Sequence, residues 1–289
     1  MPLAGEPVGV PSADAVMARA GGENFPVASR VLPRRVRAHL LAIYGFARLV
    51  DQLGDEGAGD RLQALDELED DLDRAFEGCA HHPLLQRLSQ TIAECSLTRE
   101  PFVRLIDANR MDQRVSAYET WQELRGYCAL SADPVGELVL TVFGVATPER
   151  VAYSDSICTG LQLIEHSQDV AEDFRAGRVY LPAEDLRRFG CEIAALSDDH
   201  AGEPLRAVIA FEVARARGLF AEGSPLIGEL HGRARFAVAA FLAGGLAAAE
   251  AIERARFDVL QGAPGAGGAR RLLALAGVLA GRHTGPASP

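Results

Sequence analysis

The sequence predicts an all-α protein, and three observations carry that expectation. Apolar residues recur at three- and four-residue spacing along most of the chain, β-branched runs bounded by turns are absent, and prolines stand where helices can begin. With 289 residues and 48% hydrophobic content, one large helical domain is expected over 1–260, followed by a linker, short apolar helix and tail over 261–289.

Ser12 and Asp14 suit the cap of a short helix that stops at Gly21-Gly22. A helix over 33–55 starts with a proline and carries Val36, Leu40, Ile43, Phe46, Ala47 and Val50 on its apolar stripe. Asp60 opens the next, with Leu62, Leu65, Leu68, Leu72 and Phe76 inward and Glu67, Glu69, Asp70 and Asp71 on a solvated face. Pro83 and Pro101 begin helices ending near Leu97 and Ser116. Helices over 120–131 and 134–143 are split at Asp133-Pro134, because the residue before a proline disfavours helical geometry.

A long helix over 148–174 is closed by Gly177, with Tyr180-Leu181-Pro182 as an extended exit. A short piece over 185–189 ends at Gly190. Long helices over 203–221 and 225–260 follow, then a Gly/Pro/Ala linker over 261–269 and a last apolar helix over 270–281. The longest apolar stretch, 236–249, contains Gly244 and Gly245 and falls short of the roughly 18–20 residues that span a bilayer. It reads as a buried core helix.

Twenty-nine basic and 40 acidic residues give a net charge of -11, and every basic residue is an arginine. Such a chain gains little from counterion release on nucleic acid, which argues against DNA or RNA partners. A polyanionic substrate has to be recruited locally, by metal ions or a few arginines. Cys79, Cys95, Cys128, Cys158 and Cys191 are widely spaced and read as core residues in a reducing compartment. No basic start followed by an apolar run marks a signal peptide, so a cytoplasmic location is expected.

Two aspartate pairs carry the chemistry. Asp51/Asp55 and Asp169/Asp173 have the i, i+4 spacing that puts both carboxylates on one helix face. Two such helices facing each other would line a cavity with four acids, a setting for hard divalent cations and, through them, a diphosphate. Tyr44, Arg48, Asp51 and Asp55 step along the first helix; surface pairing of Arg48 with either aspartate is the alternative there. Yet these acids lie near the apolar edge of the helix, an expensive place for charge without a counterion. Glu165, Asp169 and Glu172/Asp173 repeat along the second among apolar neighbours. Magnesium suits both, since it takes oxygen ligands and keeps several waters. His166 has no second histidine at ligand spacing, so packing or hydrogen bonding explains it better than zinc.

The second segment, Gln168-Asp169-Val170-Ala171-Glu172-Asp173 followed by Gly177-Arg178-Val179-Tyr180-Leu181-Pro182, resembles the second motif of the squalene/phytoene synthase family. That family usually shows Asp-x-x-Glu-Asp and then Gly-Arg-x-Tyr-Leu-Pro. The first resembles its Tyr-x-x-x-Arg-x-x-Asp-Asp-x-x-Asp, through Tyr44, Arg48, Asp51 and Asp55. Tyr118-Glu119-Thr120, Tyr127-Cys128 and Asp133-Pro134-Val135-Gly136 are similar to its central region, the last to a small-residue Val-Gly turn. The resemblance spans about 23–260 and implies an isoprenoid-synthase helical bundle around a central apolar cavity.

Four departures distinguish members of the family. Gln52 replaces an aspartate, Glu165 an asparagine and Gln168 an arginine, and Glu23-Asn24-Phe25-Pro26-Val27-Ala28-Ser29 replaces a serine-rich segment. This last stretch and Gln168 resemble bacterial hydroxysqualene synthases of hopanoid biosynthesis; Glu165 departs from them too. The implied reaction is ionisation of presqualene diphosphate, rearrangement of the cation and capture by water. Asp51, Asp55, Asp169 and Asp173 would hold Mg2+, while Arg48, Arg178 and Tyr180 would bind the diphosphate.

Tyr44, Tyr118 and Tyr127 are candidates for stabilising the cation, with plain helix packing as the alternative. Glu165 and Asn24 are candidates for orienting the water. No nicotinamide is expected, as no Gly-x-Gly-x-x-Gly follows a strand. The rival readings are head-to-head condensation of two farnesyl or geranylgeranyl diphosphates, to presqualene diphosphate or phytoene, and a catalytically silent lipid-binding or assembly factor. Expected partners are an isoprenoid diphosphate, a peripheral contact with the cytoplasmic membrane and other squalene-pathway enzymes.

Overall fold

The structure, a computed structural model, describes residues 32–55 and 59–281. Ser12, Asp14, Gly21, Gly22 and Asn24 lie outside the described residues. Among those described, the regular structure is helical, with one isolated parallel bridge between Ala117 and Val179. The chain divides into two compact units, Met1–Arg114 with Leu138–Gly144, and Val115–Glu137 with Val145–Pro289.

In the first unit, α1 (Arg34–Asp55) packs on α2 (Arg61–Phe76), α3 (Pro83–Cys95) and α4 (Glu100–Asp112). Its apolar stripe buries Leu40, Ile43, Phe46, Leu49 and Val50, which repeat at helical spacing and drive the packing. Phe46 meets Phe102 of α4 edge to face at 5.1 Å and 87°. Truncating either ring to alanine would cost about 3–5 kcal/mol. Asp60 caps α2 as expected, accepting from the amides of Leu62 and Gln63 at 3.0 and 3.2 Å.

Glu67 and Asp70 in the acidic run of α2 are exposed as expected, and Asp71 departs from that solvated face. Asp71 is buried and accepts from the backbone amides of His81 and His82, both at 2.8 Å, and from Arg74 Nε at 3.0 Å. The turn into α3 leaves those two amides without helical partners, and the carboxylate satisfies them.

The second unit holds α5 (Trp121–Ser131), the start of α6 (Asp133–Val142), α7 (Pro148–Gln168), α8 (Val170–Arg175) and α9 (Ala183–Arg188). A 3-10 turn, Ile193–Ser197, leads to α10 (Glu203–Gly223), α11 (Pro225–Glu229), α12 (Gly232–Arg254) and α13 (Gly268–Leu279). Helix α7 is central, packing on α5, α10, α11 and α12. Gly245 of α12 lets the Phe220 ring of α10 approach closely: a Cβ there would lie 2.6 Å from Phe220 Cζ. That contact accounts for a glycine inside an otherwise apolar helix.

Three expected elements are cut differently. The helix expected over 148–174 breaks at Asp169 into α7 and α8. The one expected over 225–260 divides into α11 and α12, because Leu230 and His231 turn extended and Gly232 takes φ 58°. Arg150 secures that break, reaching Glu229 Oε2 at 3.2 Å and its carbonyl at 3.4 Å. The Val-Gly segment at Val135-Gly136 lies within α6 and makes no turn.

By length and composition α12 could cross a membrane, with mean hydropathy 1.6, but 56% of that window is buried inside the protein. Cys128 and Cys191 are buried as expected, Cys95 and Cys158 are half-buried, and Cys79 is exposed, which corrects its reading as a core residue.

Candidate active site

In the first unit, α1 carries Tyr44, Arg48, Asp51 and Asp55 toward its C-terminal end. Tyr44, Arg48 and Asp51 are half-buried and Asp55, the last helical residue, is exposed. Arg48 Nη1 lies 3.8 Å from Asp51 Oδ2, so the i, i+3 pairing weighed as the alternative is present but loose. Asn109 of α4 donates Nδ2–H to Asp51 Oδ1 at 3.4 Å, and Gln113 donates to the Gly54 carbonyl at 3.0 Å. These supporting amides escaped the sequence reading. Their signal is legible in retrospect: Asn109 and Gln113 continue the buried stripe of Phe102, Leu105 and Ile106 in four-residue steps.

In the second unit, the break at Asp169 (φ -100°, ψ 14°) falls inside the motif. The turn is conserved in its hydrogen bonds all the same. Asp169 N–H donates to the Glu165 carbonyl at 3.0 Å, and Asp173 N–H donates to the Asp169 carbonyl at 2.8 Å. The i, i+4 relation of the two aspartates therefore survives the kink. Burial pushes Asp173 up to about 7; Asp169 adds repulsion that Arg178 only partly offsets, with Glu165 and Glu172 adding more. Asp169 is raised in the same direction, by burial and then Glu172. Glu165 and Glu172 are themselves exposed.

Gly177 ends α8 with φ 81°. Its amide reaches the Phe174 carbonyl at 3.0 Å and the Arg178 amide reaches the Asp173 carbonyl at 2.9 Å, the paired bonds of a Schellman motif. The turn so formed seats Arg178 and Asp173 on one small pocket, with Tyr180 and His166. The chain then runs alongside 116–119: Val179 N–H donates to Ser116 O at 2.8 Å and Ala183 N–H to Tyr118 O at 2.9 Å.

That pairing assembles an aromatic cluster. Tyr180 stacks on Tyr118 with centroids 6.0 Å apart and tilts against Tyr127 at 5.4 Å. His166 lies on the other side of this group, buried, with Gln162 Nε2 3.3 Å from its Nε2. Burial pushes its pKa down to about 3, so the ring is neutral. This is the packing and hydrogen-bonding role expected of it. Gln168 is turned to another task, donating Nε2–H to the Pro264 carbonyl at 2.9 Å and tying α7 to the linker before α13.

No group of three or more His, Cys, Asp or Glu side chains among the described residues converges as a closed metal site. Mg2+ does not need one, since it commonly takes one or two carboxylates and completes its shell with water and phosphate oxygens. Crowded carboxylates raised by burial and mutual repulsion form a donor set that a divalent cation neutralises. The residues fit the ion.

A helical fold with two aspartate motifs, one beside a buried tyrosine cluster, defines a class of enzyme that handles isoprenoid diphosphates. The squalene/phytoene synthase family matches residues 18–270, and the chain belongs to that family. It is 35% identical over 212 residues to the hydroxysqualene synthase of Rhodopseudomonas palustris, covering 72% of this chain and 71% of that one. It is 31% identical to the phytoene synthase of Arthrospira platensis, over 82% of each chain. The crystal structure of squalene synthase HpnC from Alicyclobacillus acidocaldarius superposes with a TM-score of 0.78 at 45% identity, covering 85% of this chain and 93% of that one. The fold is that of the isoprenoid synthases, and the chain is an enzyme acting on isoprenoid diphosphates.

Proposed function

We propose that this enzyme converts presqualene diphosphate and water to hydroxysqualene and diphosphate. The observation that carries the reading is the second motif. Asp173 and Arg178 line one small pocket with His166 and Tyr180 of the aromatic cluster, and Asp169 is near enough to raise the Asp173 carboxyl. The carboxylates and Arg178 suit a diphosphate with its metal ion, and the tyrosines suit a carbocation. The likeness to hydroxysqualene synthases supports this choice within the family.

Asp51, Asp55, Asp169 and Asp173 are the carboxylates that would hold Mg2+, which when bound would neutralise the diphosphate. Arg48 and Arg178 would donate to phosphate oxygens. The cyclopropylcarbinyl carbon–oxygen bond breaks heterolytically and diphosphate keeps the electron pair. The cyclopropylcarbinyl cation rearranges beside Tyr118 and Tyr127, the cation-stabilising candidates of the cluster. Water then forms the new carbon–oxygen bond and gives up its proton to the released diphosphate or to solvent. Glu165 and Asn24 remain the residues proposed to steer that water, and Tyr44 a further candidate for stabilising the cation.

Head-to-head condensation is the second reading, favoured by the match to a phytoene synthase along 82% of the chain. Gln168 leans against it, since its amide is spent on Pro264 in place of an arginine charge. We also propose a cytoplasmic enzyme touching the membrane peripherally, where its lipid substrate resides and where it meets other squalene-pathway enzymes. Exposed Leu272 and Leu273 of α13 support that contact.

The test is incubation with presqualene diphosphate and Mg2+, without nicotinamide, and product identification by mass spectrometry. Hydroxysqualene that disappears with chelator or in Asp169→Ala is expected. Consumption of farnesyl diphosphate with presqualene diphosphate untouched would establish the condensing reaction instead.

A further inference from the structure

Away from the aspartate motifs, the first unit contains a groove of about 540 Å³ between the N-terminal half of α1 and α3. Ligand pockets are commonly about 300–1,000 Å³. Its floor holds two buried polar side chains, His39 and Thr91, joined by an Nδ1–Oγ1 hydrogen bond of 3.1 Å. Around the rim stand three exposed arginines, Arg34, Arg35 and Arg87.

These cations are not equally engaged. Glu94 is the one carboxylate among the described lining residues. It takes Arg35 Nη2 at 2.8 Å and lies 3.4 Å from His39 Nε2. Arg34 and Arg87 have no hydrogen bond or ion pair among the described residues. Among the described lining residues, three guanidiniums against one carboxylate make the groove locally positive in a chain whose net charge is -11. Ala38, Leu41 and Leu84 supply an apolar wall alongside.

We propose that this groove is a second ligand site, separate from the aspartate motifs and taking an anionic amphiphile. Arg34 and Arg87 hold a phosphate head, for which the planar guanidinium fork is suited. The apolar chain lies along Ala38, Leu41 and Leu84. A soluble alkyl or prenyl phosphate and the headgroup of an acidic phospholipid share this chemistry. The site stands or falls independently of the reaction proposed above.

The test is calorimetric titration of the full chain with octyl phosphate in the presence of chelator, beside the double variant Arg34→Gln/Arg87→Gln. Both side chains are exposed, so an unchanged melting temperature is expected of the variant. Octyl phosphate binds the parent, and the variant binds about ten-fold more weakly or worse. Inorganic phosphate binds the parent at least about ten-fold more weakly than octyl phosphate, for want of the alkyl chain. Flotation with phosphatidylglycerol vesicles identifies the source. Vesicle binding lost in the variant assigns a lipid headgroup, whereas octyl phosphate binding without vesicle binding assigns a free phosphate-bearing molecule. If both probes fail to bind, or bind parent and variant alike, the site is overturned.

Discussion

The imidazole of His166 lies flat against the ring of Tyr180, with centroids 4.0 Å apart and planes 11° from parallel. Two residues of the second motif region are thereby stacked within the tyrosine cluster. Burial pushes the His166 pKa down to about 3, so the stack carries no charge near neutral pH. His166→Gln is expected to leave the shape of the pH–rate profile unchanged between roughly pH 5 and 8. It should lower the melting transition through loss of a stack worth on the order of 1 kcal/mol. A profile that loses an inflection in the variant would show that His166 titrates during turnover.

Asp173 sets activity against stability. Its folded pKa of about 7 stands above the ordinary 3.8, so the folded protein keeps a proton that the unfolded chain releases. Stability therefore falls as pH rises from about 4 to 7, and the cost is fully present above that window. Asp173→Asn is expected to reduce turnover about 100-fold or more. The same change should raise stability at pH 8 by on the order of 2 kcal/mol, with the gain fading toward pH 4. Denaturant titrations at the two pH values, beside steady-state rates, test both halves.

Asp71 has the opposite sign. Burial alone would raise its carboxyl, but the His82 and His81 amides and Arg74 outweigh that and hold it below the ordinary value. Its contribution is present above pH 3.8 and is lost as pH falls through the lowered folded pKa. Asp71→Ala would leave two amides at the start of α3 without their acceptor, at a cost of about 1–3 kcal/mol. Melting at pH 7 should show the loss, and the gap to the parent should narrow in acid.

Gly177→Ala isolates the turn that delivers Arg178. A side chain at φ 81° is strained by about 1–2 kcal/mol. Because Arg178 is proposed to hold the diphosphate, KM should rise more than kcat falls. Equal loss in both, with normal folding, would remove Arg178 from substrate binding.

Much of this protein was legible in its sequence, and for a definite reason. Helical periodicity, proline starts and capping residues act within a few positions of one another, so α1, α2, α5 and α10 fall close to where the pattern puts them. Asp60 and Thr120 cap the helices they precede. The motif residues Asp169, Asp173, Gly177, Arg178 and Tyr180 declared themselves by spacing and by likeness to one family. What spacing conceals is any partner distant along the chain. Asn109 meets Asp51 across 58 positions, and Gln168 spends its amide on a linker carbonyl 96 positions away. Asp71 looked like one more solvated acid until the chain returned two amides to it. The break at Asp169 likewise belongs to tertiary packing, since the residues around it are compatible with continuous helix. Local backbone preference and apolar period are properties of neighbouring residues, and the sequence determined them. Burial, counter-charge and the assembly of Tyr118, Tyr127, His166 and Tyr180 depend on surfaces brought together by folding, and only the tertiary structure decided those.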